Sequence, residues 1–119
     1  MKQNDTTGKQ LASINQLKAV LDYVRSHYTE PVTLKELADI ACMSPTYFCR
    51  YFHQEMGKTP FAFLNEYRIK KAAILLDGSS LSVSDIAVNC GFNNISYFIR
   101  KFKESQGVTP KKYRSRTEE

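Results

Sequence analysis

The sequence predicts an all-α protein in which two helix-turn-helix subdomains are joined by a long linker helix, with about seven helices in all. Three observations carry this prediction. The chain repeats itself at an offset of 49 to 50 residues. Apolar residues recur at helical spacing, and no segment shows the alternation typical of a strand. Helix start and stop residues recur at matching places in the two copies.

The repeat appears when the two halves of the chain are aligned. Three pairs of segments correspond: TLKELA (33–38) with SVSDIA (82–87), YFCRYF (47–52) with YFIRKF (97–102), and GKTP (57–60) with GVTP (107–110). The offset grows from 49 to 50 between the first and second pairs, so the later copy contains one extra residue, near Asn93. Because turns tolerate insertions, a turn is expected between two helices in each copy.

The first predicted helix begins near Ser13 and ends before Pro31, and it carries one apolar stripe formed by Ile14, Leu17, Val20, Leu21, Val24 and Tyr28. The polar residues 1–12 before it are predicted to be a flexible linker. They contain no signal-peptide core.

Cap residues predict where the remaining helices begin and end. Side chains that suit N-caps are Thr33, Ser44, Thr59, Ser82, Asn94 and Thr109. Gly57 and Gly107 are expected to end helices. The predicted domain covers residues 13–114, with helix-turn-helix units at about 33–57 and 82–107, a linker helix at about 60–77, and a C-terminal tail at 115–119.

Composition narrows the function classes. The chain has 119 residues, 42% of them hydrophobic, and no apolar run is long enough to span a membrane. Three irregularly spaced cysteines favour reduced thiols in a cytoplasmic protein. Seven of the 17 Lys and Arg residues lie between positions 100 and 116, where Glu104 is the one acidic residue. This basic run is compatible with nucleic-acid binding, although a solvated surface would give the same pattern.

The longer helix of each copy has two chemically different faces. Its aromatic face is expected to point into the core and contains Tyr47, Phe48, Tyr51 and Phe52 in copy one, and Tyr97, Phe98 and Phe102 in copy two. The opposite face follows i, i+3, i+4, i+7 spacing and contains Thr46, Cys49, Arg50 and His53, or Ser96, Ile99, Arg100 and Lys103. A DNA recognition helix needs such residues, because arginine bonds guanine bidentately, Ser and Thr adapt to several bases, and an apolar side chain meets a thymine methyl.

Contacts to DNA phosphates are expected from helix caps and from flanking cations. The candidates are Ser44, Thr59, Asn93, Lys103, Thr109, Lys111 and Lys112. Each of them alone also fits an ordinary cap or a solvated side chain.

Residues 13–114 resemble the DNA-binding domain of the AraC/XylS family of bacterial transcription regulators. The resemblance is carried by Ser44-Pro45-Thr46-Tyr47-Phe48, Gly57-Lys58-Thr59-Pro60, Tyr67-Arg68-Ile69, Cys90-Gly91-Phe92, Ser96-Tyr97-Phe98 and Gly107-Val108-Thr109-Pro110, with Tyr113-Arg114. It implies two recognition helices in successive major grooves of promoter or operator DNA, with base contacts at Thr46, Cys49, Arg50, Asn94, Ile95, Ser96 and Arg100. Cys49 departs from the longer polar residue often found at its position.

The resemblance also implies partners. Double-stranded DNA is the main one, and RNA polymerase is a second candidate. Most family members carry an effector-binding or dimerisation domain before this one, so an effector would act only through such a domain. The sequence is read as the C-terminal domain of a longer regulator rather than as a stand-alone short one. No cofactor, metal or membrane partner is expected, and the isolated chain is expected to be a monomer.

Two other function classes fit the sequence less well. Neither histidine, His27 or His53, has a Ser or Cys nucleophile with an acid nearby in sequence, so the sequence does not predict an enzyme. Cys42, Cys49 and His53 do not follow a known zinc spacing. The alternative is a helical protein-interaction module with a basic face, which would not need two matched arginine-bearing stripes.

Overall fold

A computed structural model describes the backbone of residues 2–118 and the side chains of residues 13–116. This part of the chain forms seven α-helices: α1 (Lys2–His27), α2 (Leu34–Ile40), α3 (Pro45–Met56), α4 (Pro60–Gly78), α5 (Val83–Asn89), α6 (Ile95–Gln106) and α7 (Pro110–Glu118). The predicted all-helical class, the two helix-turn-helix motifs and the long helix between them are confirmed.

The two terminal helices are longer than the sequence predicted. Helix α1 begins at Lys2 rather than near Ser13, and α7 continues to Glu118 instead of ending before the predicted tail. Residues 2–12 and 115–118 contain no proline, so nothing in the backbone interrupts i to i−4 hydrogen bonding there. Polar composition alone was the basis for predicting a linker and a tail. Met1 and Glu119 lie outside the described residues.

The chain divides into two compact units. The first contains α1, α2 and α3 and continues to Phe61, and the second contains the short segment Tyr28–Pro31 and the chain from Ala62 onward. Each unit therefore contains one helix-turn-helix motif.

The core of the first unit is aliphatic and aromatic. Its buried side chains are Val20, Val24, Leu37, Ala38, Ala41, Phe48, Tyr51 and Phe52. The Tyr51 hydroxyl donates a hydrogen bond of 2.7 Å to the Ser13 carbonyl, and burial raises the pKa of this phenol above its ordinary value. Tyr47 was predicted to join this core, and that prediction is wrong: its side chain is 59% exposed. It lies at the edge of the aromatic stripe, where helical spacing leaves a side chain outside the buried face.

The core of the second unit is built around phenylalanine. Phe98 and Phe102 on α6 are fully buried, and Phe92 packs 5.0 Å from Phe98, measured between ring centroids. Ile69, Ala72 and Leu76 of α4 and Ile86 and Ala87 of α5 complete this cluster. Cys90 is buried in it, and burial raises the pKa of its thiol to about 11. The thiol is therefore neutral at physiological pH and packs as an apolar group.

The predicted N-caps at Thr33, Ser44, Ser82, Asn94 and Thr109 are formed. Thr33 Oγ1 accepts from the Glu36 amide at 3.2 Å and donates to the Glu36 carboxylate at 3.1 Å, and Ser82 accepts from the Asp85 amide at 3.0 Å. Gly57 and Gly107 end α3 and α6 in the left-handed conformation, with φ of 75° and 81°. Local signals in the sequence thus set where these helices begin and end.

The two helix-turn-helix turns share one backbone motif. After α2 the Cys42 amide bonds the Asp39 carbonyl and the Met43 amide bonds the Ala38 carbonyl; after α5 the amides of Gly91 and Phe92 bond the Val88 and Ala87 carbonyls. Both are Schellman motifs, which need a left-handed residue at the position after the C-cap. Gly91 fills this position with φ of 95°, whereas Cys42 fills it with φ of 58°.

Replacing Cys42 by glycine is expected to stabilise the protein. A non-glycine residue at φ of 58° carries left-handed strain. Relieving this strain gains more free energy than glycine loses through the larger conformational entropy of its unfolded state, so we expect the free energy of unfolding to rise by about 0.5 kcal/mol. Cys42 is exposed, so little packing is lost. Urea denaturation measures the change, and Cys42→Ala is the control because it keeps the strain. A Cys42→Gly protein less stable than Cys42→Ala would contradict this account.

Candidate DNA interface

Helix α3 presents a polar stripe to solvent. Thr46, Arg50 and His53 are exposed, and Cys49 between them is half-buried. Within the described part of the chain, no carboxylate pairs with the Arg50 guanidinium. Its five N–H donors are therefore available to a ligand. Cys49 offers only part of a weakly polar side chain.

Helix α6 presents the matching stripe. Asn94, Ile95, Ser96, Ile99, Arg100 and Lys103 are all exposed. Asn94 is the N-cap, and its Oδ1 accepts from the Tyr97 amide at 2.9 Å. Its side-chain amide group can consequently donate to DNA, while its oxygen is already in use.

Arg100 differs from Arg50 in having a partner. Its guanidinium lies over the Tyr97 ring, 5.3 Å from the centroid. Tyr97 is itself fixed, because its hydroxyl accepts a 3.0 Å hydrogen bond from Asn65 Nδ2 and its ring packs 6.2 Å from Phe92. An exposed cation–π contact of about 0.5–1 kcal/mol orients a side chain without neutralising it. Arg100 is thus held in place with its charge intact.

Arg68 of α4 binds the segment Tyr28–Pro31, which is distant in sequence but belongs to the same unit. Its Nε donates to the Tyr28 carbonyl at 2.7 Å, its Nη2 donates to the Glu30 carbonyl at 2.9 Å, and its guanidinium lies 5.8 Å from the centre of the Phe92 ring. Burial lowers the pKa of Arg68 below its ordinary value. The sequence reasoning named Arg68 only as part of a motif and did not foresee this role.

The candidate phosphate ligands combine caps and cations. Ser44 Oγ accepts from the Tyr47 amide at 3.3 Å, and Thr109 Oγ1 accepts from the Lys112 amide at 3.2 Å. Both hydroxyls keep a proton that they can donate to a phosphate. Thr59, Asn93, Lys103, Lys111 and Lys112 complete the set, and each of these side chains is exposed.

Internal contacts divide the basic run between 100 and 116 into two groups. Lys101 pairs with Glu104 at 3.2 Å, Arg114 donates to the Leu76 carbonyl at 3.2 Å, and Arg116 lies over the Tyr113 ring at 5.1 Å. Lys103, Lys111 and Lys112 have no ion pair within the described residues. The second group, together with Arg100 and Arg116, whose cation–π contacts leave their charges intact, is the positive surface that remains for an anionic partner.

Tyr47 is a further candidate that the sequence reasoning assigned to the core. It lies next to Thr46 in sequence and three residues before Arg50, and 59% of its side chain is exposed. Its position on the boundary between the two faces of α3 was the available signal. Its hydroxyl can donate to a phosphate beside the Arg50 stripe.

Two structural features bear on the other function classes. Among the described residues, no three His, Cys, Asp or Glu side chains come together as a potential metal site, so Cys42, Cys49 and His53 do not form one. No helix within this part of the chain has the length and apolar character to cross a membrane.

Comparison with known proteins identifies a matching family profile and related proteins. A family profile described as "Helix-turn-helix domain" matches residues 37–116. An uncharacterised HTH-type transcriptional regulator of Bacillus subtilis, YdeC, is 35% identical over 100 residues, which is 84% of this chain. The chain spans about a third of that relative's length, 34%.

Solved structures share the fold. The DNA-binding domain of the global transcriptional factor AdpA, crystallised with a target DNA, is 30% identical with a TM-score of 0.78, covering 85% of this chain and 90% of that one. A probable AraC family regulator from Rhodopseudomonas palustris is 26% identical with a TM-score of 0.79, covering 87% of this chain and 97% of that one. With two helix-turn-helix motifs and relatives that match 84% or more of its length, the chain belongs to the AraC/XylS family of helix-turn-helix DNA-binding transcription regulator domains.

Proposed function

We propose that this domain binds a specific DNA sequence by placing α3 and α6 in successive major grooves on one face of the duplex. The observation that carries the proposal is the pair of matched stripes, each exposed and each centred on an arginine at an equivalent position, Arg50 and Arg100. Two grooves on one face require half-sites about one helical turn, roughly 34 Å, apart.

Base reading is assigned to the residues of the two stripes. They are Thr46, Cys49, Arg50, His53, Asn94, Ile95, Ser96, Ile99 and Arg100. Arg50 and Arg100 are the strongest candidates because a guanidinium bonds both acceptors of guanine in the major groove. Cys49 is the weakest, since its half-buried thiol is a poor hydrogen-bond donor.

Phosphate binding fixes the register of the domain on the duplex. It is assigned to Ser44, Thr59, Asn93, Lys103, Thr109, Lys111 and Lys112. The hydroxyl caps position the helices, and the three lysines provide affinity for any sequence.

The wider role is inferred from the family to which the chain belongs. The target is promoter or operator DNA in the cytoplasm, and RNA polymerase is a second partner through which a bound regulator changes transcription. We place this domain at the C-terminus of a longer regulator, where a preceding domain binds the effector, and we expect the isolated domain to be a monomer.

Affinity is expected to fall steeply as salt rises, because binding releases counterions from the phosphates. Fluorescence anisotropy with a labelled duplex at increasing salt measures the slope of log affinity against log salt. Lys111→Gln and Lys112→Gln should each reduce that slope by about one and weaken all sequences alike. The control is Lys35→Gln, whose lysine pairs with Asp39 on α2 and should leave the slope unchanged. Binding that does not respond to salt would contradict the phosphate assignment.

A further inference from the structure

The second unit contains an apolar notch beside the reading stripe of α6. Its floor is formed by side chains from three helices: Val83 of α5, Ile95 and Ile99 of α6, and Pro110 of α7. Ile95 is 40% exposed and Ile99 is 36% exposed, so both isoleucines remain open to solvent although they line a concave surface. They are one helical turn apart and lie on the same side of α6.

Polar groups surround this apolar floor. Ser84, Thr109 and Lys111 complete the lining of the notch. Lys111 has no carboxylate partner within the described residues. The Thr109 hydroxyl accepts a hydrogen bond from the Lys112 amide, and this bond does not use its own proton, which can be donated to a ligand. The notch therefore offers an apolar surface with a cation and hydroxyl donors at its edge.

The geometry points to a thymine nucleotide as the occupant, and this inference rests on the proposed function. The notch shares Ile95 and Ile99 with the exposed stripe that carries Ser96 and Arg100, so a base edge read by that stripe lies beside the two isoleucines. Thymine is the one DNA base with a methyl group in the major groove. Its methyl packs on the two isoleucines, and a backbone phosphate is bound by Lys111 and Thr109.

The first unit lacks this feature at the aligned positions. The repeat pairs Ile95 with Pro45 and Ile99 with Cys49. Pro45 is the first residue of α3, and Cys49 is half-buried. We therefore expect two isoleucines to contact a thymine methyl only in the half-site bound by the second unit. The half-site bound by the first unit should be recognised without this contact.

The test begins with the duplex that the wild-type protein selects from random DNA. Each thymine is replaced in turn by deoxyuridine, which removes only the methyl group. Losing a buried methyl should weaken binding about four-fold at one thymine of the second half-site. The same replacement should weaken the binding of the Ile99→Thr protein less than two-fold, because this variant already lacks the apolar side chain that contacts the methyl. Ile74→Thr on α4 is the matched control, since Ile74 is 62% exposed and is not part of the notch.

The outcomes separate the inference from the function on which it rests. A selection that returns no consensus contradicts sequence-specific binding itself. A consensus without any deoxyuridine effect contradicts the notch, and if Ile99→Thr still weakens binding, the isoleucines contact a deoxyribose instead. A deoxyuridine effect that is equally large in Ile99→Thr and Ile95→Thr shows that the methyl is read elsewhere.

Discussion

Gly91→Ala is expected to destabilise the protein by about 3 kcal/mol. A Cβ at this position would lie 2.3 Å from the Tyr28 carbonyl oxygen and 2.8 Å from Arg68 Nε. The backbone φ of 95° is also one that side-chain-bearing residues rarely adopt. The Tyr28 carbonyl cannot move without losing its hydrogen bond from Arg68, so the added methyl breaks the attachment of this segment to the second unit.

Two other glycines give the matched control. Gly57 and Gly107 have similar φ values of 75° and 81°, but a Cβ at either would meet nothing within 4 Å. Their alanine variants should be destabilised only by the added left-handed strain, by about 1 kcal/mol. Urea denaturation of the three variants compares these effects directly. If Gly91→Ala is no less stable than Gly107→Ala, the close approach of Tyr28 and Arg68 does not matter for stability.

Arg50→Ala and Arg100→Ala are each expected to weaken binding to the selected duplex by about 1–3 kcal/mol. Under the proposed assignment each substitution removes a bidentate contact to one base, and because both side chains are exposed, neither should change the fold. Binding to random duplex should weaken less, because phosphate contacts by lysines remain. Fluorescence anisotropy with the two duplexes at one salt concentration gives this difference.

Arg25→Ala is the matched control for both arginines. Arg25 is an exposed arginine on α1 that pairs with Asp22 at 3.3 Å, so its removal should leave affinity unchanged. Arg100→Ala also ends the contact with Tyr97, and its thermal stability should be measured alongside. Equal loss on selected and random duplex would mean that the arginine binds only phosphate.

Much of this fold could be predicted from the sequence because its signals are local. Caps such as Thr33 and Ser82 bond amides three residues away, and the phenylalanines of α6 follow helical periodicity. The repeat then fixed the order of the helices without any long-range information. Most residues of the two exposed stripes could be named for the same reason, since helical spacing places them on one face. Asn94 and Ile95 were added by the family resemblance and not by the spacing.

The features that the sequence did not predict depend on contacts between distant residues. Tyr47 and Tyr97 occupy equivalent positions in the repeat, yet Tyr97 is held by Asn65 and Phe92 while Tyr47 is exposed. The roles of Arg68 and Gly91 depend on the segment at Tyr28, more than thirty residues away in the chain. The apolar notch likewise combines residues of α5, α6 and α7.

The most direct test of two-groove reading is a binding-site selection from random duplex DNA with the wild-type protein, Arg50→Ala and Arg100→Ala. The wild-type protein should return two half-sites whose centres are about 10 base pairs apart. Each variant should lose the preference at one position, and the two positions should lie in different half-sites. If all three proteins return the same consensus, the two arginines do not read bases and the proposed arrangement is wrong.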